Sequence, residues 1–216
     1  MIVDVHSHTP RHRVAPETTG AELDSKWRPD QSASTAHTWD DHVRAMECVD
    51  RAIVFNIASD PRGCVAAAVL EGELVGYAAF HPPTEVETWG ADATGELIEL
   101  GAVEVAPEHR GKDIARRLLQ AALGGGRFDS TVVFATLYAW HYDLPRSGMT
   151  DLAYRRMLER LYRSVGLQAF ATSDEEVRSS AANALMARIG PAAPAHVVEE
   201  FHRLRKAAPE PARSAW

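Results

Sequence analysis

The sequence predicts an α/β fold, strands and helices alternating along the chain. Two observations carry that expectation. From residue 64 onward, β-rich apolar runs alternate with segments whose apolar residues recur at helical spacing. The first two runs are joined by Glu71-Gly72-Glu73, a hairpin connection, and the order that follows is strand, turn, helix, strand, helix, strand. At 216 residues the chain has material for one large domain, or one domain with an extension.

The elements are expected as follows. Ile2-Val3-Asp4-Val5 is a short strand leading to His6-Ser7-His8. Residues 10–38, rich in Pro, Thr, Ser and Arg, lack periodicity and form a long loop. Trp39, Val43, Met46 and Val49 share one face of a short helix, and residues 52–58 form a strand. Residues 65–70 and 74–80 are the hairpin strands, and a Pro/Thr/Gly/Glu loop spans 81–95. Leu97–Val105 is a strand running into Pro107-Glu108-His109-Arg110-Gly111-Lys112. Ile114, Ala115, Leu118, Leu119 and Ala122 form a helical stripe that Gly124-Gly125-Gly126 stops. Residues 131–140 are a strand with Trp140 in the core, and 151–165 an amphipathic helix with Tyr154, Met157, Leu158 and Leu161 on one side. Strands at 167–172 and 185–189 and a helix at 195–206 complete the chain, with Met149, Met157 and Met186 in the core and Glu/Asp at 174–176 as a solvated helix start. The division is 1–60 as an N-terminal segment, 61–190 as the main domain and 191–216 as a helical extension and tail.

Charge and composition exclude several functions. A net charge of −7 and a pI near 5.8 argue against non-specific nucleic-acid binding, which needs a basic face. No apolar run reaches the ~18 residues of a membrane span, and the N-terminus lacks the pattern of a secretory signal. Two cysteines, Cys48 and Cys64, make neither a disulfide framework nor a Cys-based zinc site, and the expectation is a reduced, cytoplasmic chain.

His6 and His8 lie two apart at a strand end, so both imidazoles point the same way and can reach one metal ion. That pattern, with Lys26-Trp27-Arg28-Pro29-Asp30 and Val49-Asp50-Arg51-Ala52-Ile53-Val54-Phe55-Asn56, resembles the opening of the amidohydrolase superfamily over residues 1–60. A bare His-x-His leaves a metal under-ligated, and the chain after residue 60 supplies no barrel, so no metal is expected.

The stretch from Leu97 to Leu123 has a clearer physical reading. A strand enters an Arg-Gly turn and then a helix, whose first amides and positive dipole end suit an anion. Arg110 and Lys112 add charge, and Gly111 lets the backbone approach a pyrophosphate. The order and residues resemble the GNAT superfamily of acetyl-CoA-dependent N-acetyltransferases, and the resemblance implies the acyl-CoA N-acyltransferase fold, a mixed central sheet flanked by helices, with acetyl-CoA as co-substrate. Glu73-Leu74-Val75-Gly76-Tyr77-Ala78 resembles its early strands, and Val103 to Lys112 its acetyl-CoA motif. The family's Gln/Arg-x-x-Gly-x-Gly/Ala signature appears as Arg110-Gly111-Lys112-Asp113-Ile114-Ala115, with Asp113 in place of the middle glycine. The resemblance places Val103, Val105, Arg110, Gly111, Lys112, Asp113, Ile114 and Ala115 at the cofactor.

The segments 96–105, 138–144, 170–176 and 182–190 are similar to the acetoin-utilisation branch of that family, over residues 61–206. The branch implies acetylation of a protein lysine, with acetyl-CoA synthetase as the partner. A lysine amine must lose a proton before it attacks a thioester, so a general base is needed. Glu99, eleven residues before Arg110 and inside an apolar run, stands at the family's base position; Glu104 and Glu96 are the alternatives. Tyr162 matches the position of a tyrosine that protonates the leaving thiolate. His141 and Asp143 are read as shaping the substrate channel or as packing. The competing functions are an amidohydrolase-type metal-dependent hydrolase and a non-catalytic acetyl-CoA-binding module.

Overall fold

The computed structural model describes residues 2–6, 57–70, 73–85 and 87–207. The expected loop at 10–38 and helix at 39–49 lie outside these residues, as does all but the end of the strand expected at 52–58. The chain forms two compact units, Met1–His81 with Leu100–Arg127, and Pro82–Glu99 with Phe128–Trp216.

The first unit holds β1 (Ile2–His6), β2 (Cys64–Leu70), β3 (Glu73–His81) and the second part of β4 (Leu97–Val105), in that order across the sheet. β1 pairs antiparallel with β2, Ile2 opposite Val69 and His6 opposite Val65. This is the wrong sense for the parallel barrel strand that His-x-His suggested. β2 and β3 are the expected hairpin pair. Val65 to Ala68 are all buried, because α1 (Ile114–Gly124) covers one face of the strands and the cluster of Ala58, Leu74, Tyr77 and Ala79 fills the other. Residues 57–59 are helical where the expected strand should end. A turn closes there through Gly63 N–H to the Asp60 carbonyl at 2.9 Å. A Cβ at Gly63 would lie 1.8 Å from the Ile57 carbonyl oxygen, so only glycine fits.

The second unit holds residues 97–99 of β4, then β5 (Val132–Leu137), β7 (Ala184–Ile189) and β6 (Gln168–Phe170). β4 runs parallel to β5, and β7 lies antiparallel between β5 and β6, so the sheet is mixed, as the resemblance implies. Short α2 (Leu144–Ser147) and α4 (Glu175–Arg178) accompany the longer α3 (Asp151–Arg163) and α5 (Ala195–Leu204). The Thr150 side chain caps α3 by accepting from Ala153 N–H, and Asp174 caps α4 through Glu176 and Val177 N–H. The loop expected at 81–95 contains a 3₁₀ turn, Thr88–Ala91, that buries Trp89. Trp89 stacks between Phe134 and Phe201, at centroid separations of 4.4 and 5.7 Å. Through Val197, Phe201 and Leu204, α5 is part of this core.

β5 stops at Leu137, short of the expected 140. Residues 139–141 form a 3₁₀ turn instead, and Trp140 is 57% exposed rather than in the core. Met186 is fully buried as expected, whereas Met149 is 40% exposed, just after the left-handed Gly148 that ends α2.

Candidate active site

Two pieces of structure carry chemistry, one in each unit. In the first, the 3₁₀ turn Pro107–His109 delivers the chain to Arg110, and Gly111 and Asp113 both adopt left-handed backbone, at φ 73° and 64°. Asp113 is the single non-glycine residue with positive φ among the described residues. Asp113, which stands where the signature has its middle glycine, holds left-handed backbone, and aspartate is one of the few side chains that tolerate it. The first backbone bond of α1 runs from Arg117 N–H to the Asp113 carbonyl, at 3.2 Å. The amides of Ile114, Ala115 and Arg116 are therefore the free donors of the helix start. A Cβ on Gly111 would meet nothing within 4 Å, so the surface over the turn is open.

The side chains around the turn are arranged by local bonds. Arg110 donates from Nε to the Val105 carbonyl at 3.0 Å, and Lys112 Nζ lies 3.4 Å from His109 Nδ1. The Asp113 carboxylate accepts from Arg116 Nε at 2.7 Å, and that bond lowers its pKa. Val103 and Val105 are half-buried on the second part of β4, as is Glu104. Backbone donors, open space and cations fit a pyrophosphate.

In the second unit, a cavity of about 490 Å³ is lined by Glu99, Thr136, Tyr138, Trp140 and His141, with the loop residues 87–89 and the start of α4. Burial first, and the neighbouring Glu87 carboxylate second, push the Glu99 pKa up to about 7. Tyr138 has its phenol pKa raised, by burial and then by the carboxylates of Asp174, Glu176, Glu87 and Glu99. Its ring stacks on Trp140 at 4.3 Å and 12°. Asn183, 5% exposed, ties two walls together. Its Oδ1 accepts from Ala139 N–H and its Nδ2 donates to the Glu176 carbonyl, both at 2.9 Å. Tyr142 fixes the same turn by donating to the Ala182 carbonyl at 2.7 Å.

The structure thus brings Glu99 and His141 to one cavity, with Glu99 half-buried and His141 exposed. Tyr162 is 6% exposed on the last turn of α3 and does not line that cavity. Asp143 precedes α2, where its carbonyl accepts from Ser147 N–H, and Glu96 lends its carbonyl to Val132 N–H. Sequence reasoning missed Tyr138, Asn183 and the place of Trp140. These depend on where β5 ends, and no local pattern marks that. Among the described residues no group of three His, Cys, Asp or Glu side chains is placed to hold a metal ion.

A hairpin followed by a strand that enters a left-handed turn and a helix is the order of elements that the family resemblance implies. The sequence matches the model of the Acetyltransferase (GNAT) family over residues 25–129, which takes in residues 25–60 of the segment read as amidohydrolase-like. The chain is 36% identical to the acetoin utilization protein AcuA of Bacillus licheniformis over 152 residues, 70% of this chain and 72% of that one. It is 37% identical to AcuA of Bacillus subtilis over 150 residues, 69% and 71% of the two chains. The crystal structure of an acetoin utilization protein from Exiguobacterium sibiricum superposes with a TM-score of 0.70 at 35% identity, covering 72% of this chain and 74% of that one. The chain belongs to the GNAT family of acetyltransferases, and within it is similar to the AcuA proteins of acetoin utilization.

Proposed function

We propose that this protein transfers an acetyl group from acetyl-CoA to a lysine amine of a cytoplasmic metabolic enzyme, acetyl-CoA synthetase being the candidate. Such a reaction would serve the control of acetoin and acetate use. The observation that carries the reading is Glu99, a half-buried carboxylate with a pKa near 7 in a cavity open to an incoming side chain. At neutral pH it is partly ionised and still basic enough to take a proton.

The residues then divide the reaction. Residues 110–115 would hold the pyrophosphate through the amides of α1's first turn and the charges of Arg110 and Lys112. Backbone amides of Val103 and Val105 would line the pantetheine. Glu99 would take one proton from the lysine ammonium, directly or through a water molecule. The neutral amine attacks the thioester carbonyl, the C–N bond forms, and the C–S bond breaks. The departing thiolate takes a proton, the role the resemblance gives Tyr162. The nitrogen sheds its second proton as the amide forms, replacing the one Tyr162 gives to the thiolate, so the products are an amide and free coenzyme A with the first lysine proton held on Glu99.

The test combines binding and turnover. Acetyl-CoA at a hundredfold excess over its dissociation constant should stabilise the protein by about 2–3 kcal/mol in thermal denaturation. Incubation with acetyl-CoA and acetyl-CoA synthetase should add acetyl groups to lysine, detected by mass spectrometry. No stabilisation at millimolar acetyl-CoA would remove the assignment, and stabilisation without any transferred acetyl group would leave a binding module.

A further inference from the structure

The Glu99 cavity has a charge that limits what can enter it. Its described lining includes Glu87, Glu99, Asp174, Glu175 and Glu176, and no lysine or arginine. That lining is unfavourable to phosphates and favours a cation. One acceptor ammonium does not account for so many carboxylates. Asp174 is committed to capping α4, with Oδ1 accepting from Glu176 and Val177 N–H at 2.8 and 3.1 Å, but Glu175 and Glu176 project exposed from the same helix start. The most exposed large apolar side chain among the described residues, Trp140, also lines this cavity. It is held flat against Tyr138 on one face and meets His141 edge-on at 5.8 Å. An aromatic pair stacked at the mouth of an acidic cavity is a surface for a cation, because the ring faces are negative. The Asn183 bridge between residue 139 and α4 holds the ledge and the acidic rim in one arrangement.

We propose that Trp140, stacked on Tyr138, and the Glu175–Glu176 rim form a second cation subsite. That subsite selects acceptors bearing a further positive charge beside the amine to be acetylated. The inference rests on the reading that the acceptor amine reaches Glu99. The dication has two chemical sources, a polypeptide with a basic residue next to the reacting lysine, or a polyamine.

Two pairs of acceptors separate the outcomes: peptides differing only in Lys-Arg against Lys-Glu, and spermidine against butylamine. The full chain is titrated with each by calorimetry in the presence of coenzyme A, and turnover is measured with acetyl-CoA. Tighter binding of the more cationic member of either pair supports the subsite, and the pair that shows it identifies the source. Trp140→Ala should raise KM for the preferred acceptor roughly tenfold while leaving acetyl-CoA binding as it was, and Trp140→Phe should recover most of the loss. Glu175→Gln with Glu176→Gln should shrink the preference, as should 0.5 M salt in the parent, about a fourfold shorter screening length than at 0.03 M. Equal affinity within both pairs, or a preference that survives both variants, overturns the subsite. Selective binding without turnover would support the subsite while removing the acyl-transfer reading, and turnover without charge preference would do the reverse.

Discussion

The turn at residues 110–115 and the cavity around Glu99 are built on opposite principles. The turn is open over Gly111 and offers backbone: two left-handed residues lead into a helix start with free amides, and Arg110, Lys112, Arg116 and Arg117 lie within the same stretch of chain. The cavity is walled by side chains from several separate segments, and its charges are carboxylates. The first suits an anion held by many weak donors, and the second suits a cation that must give up a proton. An anion site made of backbone would survive many side-chain changes, whereas the chemistry proposed for the cavity would hang on one carboxylate and its environment. Substitutions can therefore separate the two regions.

The largest expected effect is at Glu99. Glu99→Gln keeps the shape and removes the proposed base, so turnover should fall by about 10²–10⁴ while the dissociation constant of acetyl-CoA stays within twofold. The sign of the pH dependence follows from the raised pKa. A base acts ionised, so parent activity should rise through about pH 7 as Glu99 loses its proton, and the variant should lack that limb. Stability should run the other way. A carboxyl whose folded pKa exceeds its unfolded value contributes fully below about pH 4.5, and that contribution is lost as pH rises through about 7. Glutamine stays neutral, so Glu99→Gln should be more stable than the parent at pH 8, by up to about 3 kcal/mol, and nearly equal to it at pH 4. Urea denaturation at the two pH values measures the difference; an equal difference at both would show that Glu99 is not buried as an acid.

The cavity also stands on a larger apolar core than the turn does, and that difference can be measured. Phe201 is fully buried, stacks on Trp89, and meets the Phe170 ring edge-on at 5.2 Å. Phe201→Ala should lower stability by about 3–4 kcal/mol through lost contacts and the space left behind. The urea midpoint gives this directly. A loss under about 1 kcal/mol would mean that α5 can leave the core without consequence.

What the sequence shows of these two regions follows from how each is made. The turn was legible because its parts are consecutive: a strand, Arg110-Gly111, and a helical stripe beginning at Ile114. Glu99 was legible through its place in an apolar strand at a fixed distance from that turn. Tyr138, Trp140 and Asn183 were not, because what joins them is tertiary. Trp140 looks like a strand residue until the chain turns at 139–141, and that turn is held by Asn183, more than forty residues later. The same limit applies to the strand expected at 52–58. Its apolar run says nothing of the Asp60–Gly63 turn, closed by Arg127 donating to the Pro61 and Gly63 carbonyls. The antiparallel place of β1 beside β2 is equally invisible to periodicity.

The smallest effect, at Asp113, tests the turn itself. Aspartate there holds left-handed backbone, which glycine adopts without strain, and puts a carboxylate beside the proposed phosphate position. The carboxylate engages Arg116, so replacing it removes a repelling charge and also frees an attracting one. The pair that would be lost is exposed on both sides, and exposed pairs contribute little. Asp113→Gly should therefore tighten acetyl-CoA binding by roughly three- to fivefold at low salt, and by less at 0.5 M salt, where exposed charges are screened. Asp113→Asn separates the two causes, since asparagine also tolerates the left-handed region but carries no charge. If the asparagine variant tightens binding as much as glycine, the charge is responsible. If only glycine tightens it, the backbone is. Weaker binding in both would show that Asp113 holds Arg116 where the phosphate needs it, and its carboxylate would then be part of the cofactor site.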